Sequence, residues 1–464
     1  MAATSTVLIA GATGFVGRAL AARLQDRFRV IGLTRSPLSP PPYPDIEWRR
    51  CDLFSLFQTE RALEGAGQAV YLVHSMLPSA RFVQGSFQDM DLILADNFAQ
   101  AASRAGVRHI VYLGGLASDN AGHSRHLASR LEVERTLGSR GVPVTALRAG
   151  VVIGRGGSSF EMMVRLVTRL RIIPCAGWAR TPSQPIALPD LLTLMAHCLE
   201  HPASANRQHD IGGPDVLSYR GMLERVAAAL GLRRRFVDLP VSGTTWCRCW
   251  LSLVTGAPPE LVGPLLESMS RPMVAGARHF QEQVGVPGLP FDAAIRQVLA
   301  EERPPERQPK GSARAEAVPY DVRSVQRIPL PQGRTARWAA EQYSAWLPVV
   351  LRTLLRAETD AQQNVRVCLA YPPLPLLEHH FARERSMSTD RQVFYIKGGL
   401  LARRVRRATR RPRLEFREAL QGASLIVAIH DYRPTLPWTL YRLLQAPIHV
   451  WVIRQFARHL ARLG

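Results

Sequence analysis

The chain has 464 residues, 46% hydrophobic and 21% charged, with 34 Gly and 34 Pro. That length accommodates two to four domains and a sizeable core, and it excludes a disulfide-stapled mini-protein, a collagen and a disordered tail. The formal charge of +22 rests almost wholly on arginine, because Lys310 and Lys397 are the only lysines, so it reads as a compositional skew rather than a nucleic-acid signature. The excess is concentrated: residues 301–464 carry +14 and residues 1–300 carry +8. Six cysteines, Cys51, Cys175, Cys198, Cys247, Cys249 and Cys368, form no Cys-x2-Cys pair. A zinc site needs about four converging soft ligands, which this spacing does not supply, so no metal is expected. The N-terminus has no basic leader, and no run of about 18 apolar residues is present, so a cytoplasmic protein without a spanning helix is expected.

In chain order, strand-like runs at Thr6–Ala10, Arg29–Leu33, Ile46–Leu53, Ala69–His74, His109–Leu113 and Val144–Val152 alternate with helical periodicity. The helical stretches are Phe15–Leu24, Ser55–Leu63, Asp89–Ala105 and Ser124–Leu137. Alternation of apolar strands with helices predicts an α/β fold with a doubly wound parallel sheet, a Rossmann arrangement. Residues 159–300 read as a mainly helical substrate subdomain, with Ser218 capping a helix over Tyr219–Leu230. Residues 301–322 are charged and Pro-containing, as expected of a linker, and the nucleotide domain is set at 1–300. Residues 323–464 read as a separate α+β domain. Its strands are placed at Val365–Ala370, Arg391–Ile396, Arg413–Ala419 and Ser424–Ile429, before a long amphipathic helix over Trp438–Leu463. Pro437 and Pro447 interrupt the first turns of that helix. Strands followed by a long terminal helix suit a helix-grip arrangement with an apolar cavity.

The sharpest motif is Gly11-Ala12-Thr13-Gly14-Phe15-Val16-Gly17, which follows a strand and opens a helix. Gly11 permits the tight turn, Gly14 the approach of a pyrophosphate, and Gly17 close packing of helix on sheet. The helix N-terminus then offers N–H groups and a positive dipole end to phosphate, so a dinucleotide is expected over Gly11, Thr13, Gly14, Phe15, Val16 and Gly17. A ligand-free structural turn is the competing reading. After the second strand stands Arg35, where an acidic residue would hold the ribose of NAD; arginine there favours NADP, with NAD the alternative. Asp52 and Leu53 are placed at the adenine, and Val73 and Gly114 complete the expected binding set. A turn or capping role competes for Asp52.

These residues, with Val111-Tyr112-Leu113, the stretch Gly141 to Gly150, and Gln184-Pro185-Ile186-Ala187-Leu188-Pro189-Asp190, resemble an atypical or extended short-chain dehydrogenase/reductase. The resemblance is to the bacterial NAD(P)H-binding, NmrA-like branch that is also similar to a complex I accessory subunit. It spans about residues 5–300, and the segment from Trp250 to Ser268 is similar to a helical insert of that branch. The last domain resembles an uncharacterised domain fused behind such proteins. The resemblance implies a reductase with a nicotinamide dinucleotide and a small carbonyl or quinone-type substrate.

Reductases of that superfamily use a serine and a Tyr-x3-Lys pair. Here Gly114-Gly115 stands at the serine position, and His126-Leu127-Ala128-Ser129-Arg130 at the other. Two readings follow. His126 acts as general acid/base, with Arg130 binding the nicotinamide ribose or substrate charge. Otherwise both form a solvated helix face, and the domain is a nucleotide-sensing regulatory or assembly protein without turnover. Tyr112 and Ser118 are the remaining polar groups nearby, His123 and Ser124 read as loop and cap residues, and Gly114-Gly115 would let backbone approach a flat ring. In the last domain, the cluster Arg403, Arg404, Arg406, Arg407, Arg410, Arg411 and Arg413 suggests contact with anionic membrane, peripheral and alongside the aromatic terminal helix. The competing reading is a solvated loop, and no nucleic-acid-binding signature accompanies it.

Overall fold

A computed structural model describes residues 5–38, 41, 43–75, 80, 82–116, 124–202, 206–239, 244–276, 278–301, 321–350, 355–403 and 411–463. Most of the expected linker at 301–322 and the arginines at 404–410 lie outside them, as do Ser118 and His123. The chain forms two units. The first comprises residues 1–77 with 94–313, the second residues 78–93 with 314–464.

In the first unit, β1 (Thr6–Ala10), β2 (Arg29–Thr34), β3 (Glu47–Arg50) and β4 (Gln68–Tyr71) precede β5 (Phe82–Gln84), which is part of the second unit. β6 (Ile110–Gly115), β7 (Val144–Ala149) and β8 (Gln208–Ile211) complete a seven-stranded sheet in the order β8-β7-β6-β4-β1-β2-β3. All neighbours in it are parallel. This is the doubly wound Rossmann arrangement, and its strand order reverses between β1 and β4. Ligands of such sheets bind outside the carboxyl ends of the strands at that reversal. The strands are buried on both faces: Val7, Ile9, Val70, Val111 and Leu147 are each fully covered. Helices α1 (Phe15–Leu24), α2 (Leu56–Leu63), α3 (Phe87–Arg104) and α4 (Arg125–Gly138) follow the expected periodicity closely. Ser55 caps α2, accepting from Gln58 N–H, and Ser124 caps α4, accepting from Leu127 N–H.

A second core belongs to the helical part of this unit. It is built by α5 (Ser158–Arg169), then, after α6 (Leu188–Glu200), which packs in the sheet core, by α7 (Tyr219–Ala229), α8 (Thr244–Thr255) and α9 (Pro259–Met269). Phe160, Met163, Leu166, Met222, Leu223 and Leu266 are buried together in it. Ser218 caps α7 through the Gly221 N–H, as the sequence indicates.

In the second unit, β9 (Val322–Pro329), β10 (Leu355–Thr359), β11 (Val365–Leu369), β12 (Pro375–Phe381), β13 (Arg391–Gly398), β14 (Arg413–Ala419) and β15 (Ser424–Tyr432) are antiparallel neighbours. The sheet order is β10-β11-β12-β13-β14-β15-β9-β5, so the first strand of this domain pairs with its last. A helix, Ala336–Val350, follows β9, and a terminal helix, Ala446–Ala461, follows β15. Both lie on one face of the sheet, where Ala336, Ala339, Ile453 and Phe456 meet Phe394, Leu414, Phe416 and Val427. Two helices on one face of an antiparallel sheet make this unit α+β. The eighth strand is β5, a parallel edge strand whose Phe82, Val83 and Gln84 pair with Val322, Arg323 and Ser324. Gly85 makes that approach feasible, since a Cβ there would lie 2.6 Å from the Val325 carbonyl oxygen. The terminal helix opens irregularly, as its prolines require. Trp438–Leu440 runs into a π turn, Tyr441–Gln445, and Pro447 falls in the first turn of the regular helix. Pro447 cannot donate to the carbonyl of Leu443 and its ring crowds that carbonyl, which the wider turn relieves. Among the described residues no helix is long and apolar enough to cross a membrane.

Glu415 is the charged centre of this sheet. It is 2% exposed. Arg391 donates to it twice, at 2.9 and 3.1 Å, and Arg417 donates from Nε at 2.8 Å. Burial alone would raise its pKa, but Arg391 and Arg417 override that and hold the carboxyl well below the usual carboxylate range. The native carboxylate therefore adds stability at neutral pH, and that contribution is lost as the pH falls below the ordinary carboxylate value of about 4.3. Glu415→Gln leaves buried guanidinium charge uncompensated and should cost about 3–5 kcal/mol in urea unfolding at pH 7. A loss under about 1 kcal/mol would remove this network from the stability account.

Candidate functional site

The cradle after β1 is built by missing side chains. Gly11 has φ +91°, which favours glycine, and Gly14 donates its N–H to the Gly11 carbonyl at 2.9 Å. A Cβ on Gly17 would lie 2.1 Å from that same carbonyl oxygen, closer than any two such atoms approach. Gly14 is the N-cap of α1 and offers no side-chain cap, so the N–H groups of the first turn are left for an anion. These features fit a dinucleotide pyrophosphate. Thr13 is half-buried, and its carbonyl accepts from Arg18 Nε at 2.9 Å. Phe15 and Val16 turn their side chains to the protein. The Phe15 ring fills the space over Gly154 and Gly157, where a Cβ would meet it at 2.7 and 3.0 Å, and Val16 packs on the core under α1.

Arg35 is exposed immediately after β2. Arg50, a residue the sequence reading passes over, ends β3 in register with Thr34, the last residue of β2. Asp52 adopts the turn role: its Oδ1 accepts from Phe54 N–H at 3.1 Å, and its own N–H donates to Gln58. Leu53 is buried, with its carbonyl accepting from Asn97 Nδ2 at 2.7 Å. Val73 and His74 follow β4, where Leu72 N–H donates to the Ala10 carbonyl beside Gly11.

Gly114 and Gly115 are closely packed on the side where a Cβ would stand. A Cβ on Gly114 would meet the Tyr112 ring at 3.1 Å, and one on Gly115 would meet Leu127 at 2.9 Å. Their smallness is used by the protein's own side chains. Tyr112 is not a spare polar group either: it is fully buried and donates to the Arg130 carbonyl at 3.2 Å.

His126 sits in the first turn of α4, facing α9. The Ser268 hydroxyl donates to the Pro264 carbonyl at 3.0 Å, which commits its one proton. Its oxygen then accepts from His126 Nδ1–H at 3.0 Å, and Ser124 Oγ lies 3.2 Å away. Glu267 completes the clasp, accepting from the Arg125 N–H at 2.9 Å. In this arrangement Nε2 is the unprotonated ring nitrogen. Burial pushes the His126 imidazole down to about 3, with the Arg130 guanidinium and His74 adding to the shift. His126 is therefore neutral at physiological pH. Arg130, four residues on, is 8% exposed, so the pair is not a solvated helix face.

Beside His126 lies a pocket of about 110 Å³. Gly115, Leu127 and Gly150 contribute to it from the sheet side, and Met162, Met163, Trp178, Tyr219, Met269 and Met273 from the helical part. Four methionines make its wall apolar and adaptable. Ser268, Tyr219 and the methionines escape sequence reasoning, because they stand on separate elements and converge only through the packing of α5, α7 and α9. The Trp250–Ser268 likeness, which places Ser268 in a family insert, is the one signal that points toward them.

Residues 11–164 match the family described as NAD(P)H-binding. The chain is 28% identical over 178 residues to the auxiliary protein GraX of Staphylococcus aureus, covering 37% of this chain and 53% of that protein. It thus spans about half the length of that relative. It is 25% identical over 294 residues to the (4-alkanoyl-5-oxo-2,5-dihydrofuran-3-yl)methyl phosphate reductase of Streptomyces griseus, covering 61% of this chain and 95% of the relative. Among solved structures, the NADPH-dependent quinone oxidoreductase of Escherichia coli complexed with NADPH is similar in fold. It is 16% identical, with a TM-score of 0.51 over 63% of this chain and 99% of that one. Residues 11–164 thus form an NAD(P)H-binding domain, and the unit that contains them has the Rossmann fold.

Proposed function

We propose that this unit is an NADPH-dependent oxidoreductase acting on a small apolar carbonyl acceptor of the quinone type. The observation that carries the reading is the apolar pocket holding a neutral His126 in the same unit as the glycine cradle. The names of the Streptomyces reductase and the Escherichia oxidoreductase support it. Gly11, Gly14 and Gly17, with the backbone of Thr13, Phe15 and Val16, hold the pyrophosphate. Arg35, joined by Arg50, takes the 2′-phosphate that distinguishes NADP from NAD. Asp52 and Leu53 border the adenine, and Val73 and Gly114 the nicotinamide end.

When bound, the reduced nicotinamide supplies a hydride. The protein's task is to seat the acceptor in a dry pocket and to stabilise the negative charge that develops on its oxygen. Arg130 supplies positive charge for this, in an environment where burial strengthens it. His126 is a poor general acid, because its imidazolium is scarcely populated near neutral pH. Its unprotonated Nε2 instead accepts a hydrogen bond from the product hydroxyl, and water delivers the proton. Such chemistry suits an acceptor whose reduced oxyanion is delocalised over a ring. The second reading, a nucleotide-sensing regulatory or assembly protein, draws on the missing Ser and Tyr-x3-Lys set, and turnover decides between the two.

We also propose a peripheral contact of the second unit with anionic membrane. Leu443, Leu444, Ile448 and Trp451 are 67, 54, 56 and 47% exposed, beside Arg442 and Arg454, and no acidic residue follows Asp431.

Calorimetry should find NADPH bound at least about tenfold tighter than NADH, with Arg35→Ser removing most of the difference. Equal affinities in the unaltered protein would remove the phosphate role of Arg35. The rate of NADPH oxidation by a quinone should be flat between about pH 5 and 8, where His126 stays neutral. A rate that falls as the pH rises through about 6.5, and that is lost in His126→Ala, would restore His126 as the acid. NADPH binding with no oxidation by any quinone would favour the sensing protein. Sedimentation with phosphatidylserine vesicles should be salt-dependent and weakened in Trp451→Ala; no sedimentation at low salt would end the membrane proposal.

A further inference from the structure

Tyr219 is the first residue of α7 and is 2% exposed, yet its hydroxyl has no hydrogen-bond partner among the described residues. The fully buried hydroxyl of Ser183 lies beside it and acts on the phenol as a weak hydrogen-bonding neighbour, although neither hydroxyl makes a hydrogen bond of full geometry. Tyr219 lines the pocket directly. Ser183 stands just behind it, 3.5 Å from where a Cβ on the pocket residue Gly150 would be. Native proteins satisfy nearly all buried hydroxyls, because an orphaned one forfeits its bonds to water. If Tyr219 served packing alone, phenylalanine would fill the same space without that cost. The ring is also held rigidly. Ser218 caps the helix at its base, and Trp178 meets the ring edge-on at 6.3 Å. Two poorly satisfied hydroxyls side by side, one of them on a pocket residue, retain capacity for a further acceptor. Burial pushes the Tyr219 hydroxyl pKa up, so it remains a donor at any physiological pH.

Resting on the oxidoreductase reading, we propose that Tyr219, backed by Ser183, is a specificity-determining anchor that binds one carbonyl oxygen of the acceptor. A carbonyl oxygen has two lone pairs and satisfies both hydroxyls at once. With His126 and Arg130 at the reacting oxygen, the pocket then selects a compact ring bearing two oxygens. A pocket of about 110 Å³ suits one ring better than a fused system. A ring lacking oxygen leaves the two hydroxyls orphaned and is rejected on that ground.

The test uses the full chain saturated with NADP⁺, which cannot reduce the probe. Duroquinone and p-xylene are titrated into wild type, Tyr219→Phe and Ser183→Ala by calorimetry. The anchor predicts that Tyr219→Phe weakens duroquinone about tenfold and Ser183→Ala weakens it less, while p-xylene binds all three alike. The hydrocarbon confirms that the pocket is intact in each variant. Unchanged duroquinone affinity in Tyr219→Phe, as when a water bridges the two hydroxyls, overturns the anchor; so does equal loss of both probes. Turnover with NADPH is scored separately. Tyr219-dependent binding without reduction keeps the anchor and removes the hydride-transfer reading. Reduction with Tyr219-independent binding keeps that reading and overturns the anchor.

Discussion

The site depends on one backbone contact. Gly17 lies so close to the Gly11 carbonyl that no side chain fits between them. That contact sets α1 directly over the end of β1, where the strand order reverses toward β4. From there the first-turn N–H groups face outward, with no side-chain cap to occupy them. Arg35 and Arg50 then fall at the ends of adjacent strands, and Val73 and His74 at the end of β4. Any bulkier residue at position 17 would lift the helix and break all of these placements together.

A second constraint joins the sheet to the helical part of the same unit. Ser124, Arg125 and His126 at the start of α4 bond to Glu267 and Ser268 at the end of α9. This clasp closes one wall of the apolar pocket and also decides the state of His126. Poor hydration, the Arg130 guanidinium and His74 leave the imidazole neutral. A neutral imidazole in that position is suited to receiving hydrogen bonds rather than to donating protons.

Much of this was legible from local pattern. The glycine motif, α1 and the first four strands follow from periodicity and turn chemistry, and the caps Ser124 and Ser218 were readable from residue type. The turn bond of Asp52 was legible too, because its carboxylate is within reach of the Phe54 N–H two residues on. At Gly114 and Gly115 the close neighbours are Tyr112 and Leu127, which local pattern does not show. Other features have no local signal. Phe82–Gln84 is three residues long and is a strand only because β9 pairs with it. Ala336–Val350 carries Pro348 near its end, and Pro375 opens β12, so propensity argues against both. Ser268 and Tyr219 acquire meaning only once α9 and α7 pack against the sheet.

The proposed function requires the glycine cradle and the apolar pocket to form one site. A crystal structure of the chain with NADPH should then show the pyrophosphate over the N–H groups at Gly14 and Phe15, with the nicotinamide ring opening onto the pocket between His126 and Tyr219. A dinucleotide bound over the glycines with its nicotinamide turned away from that pocket would contradict it.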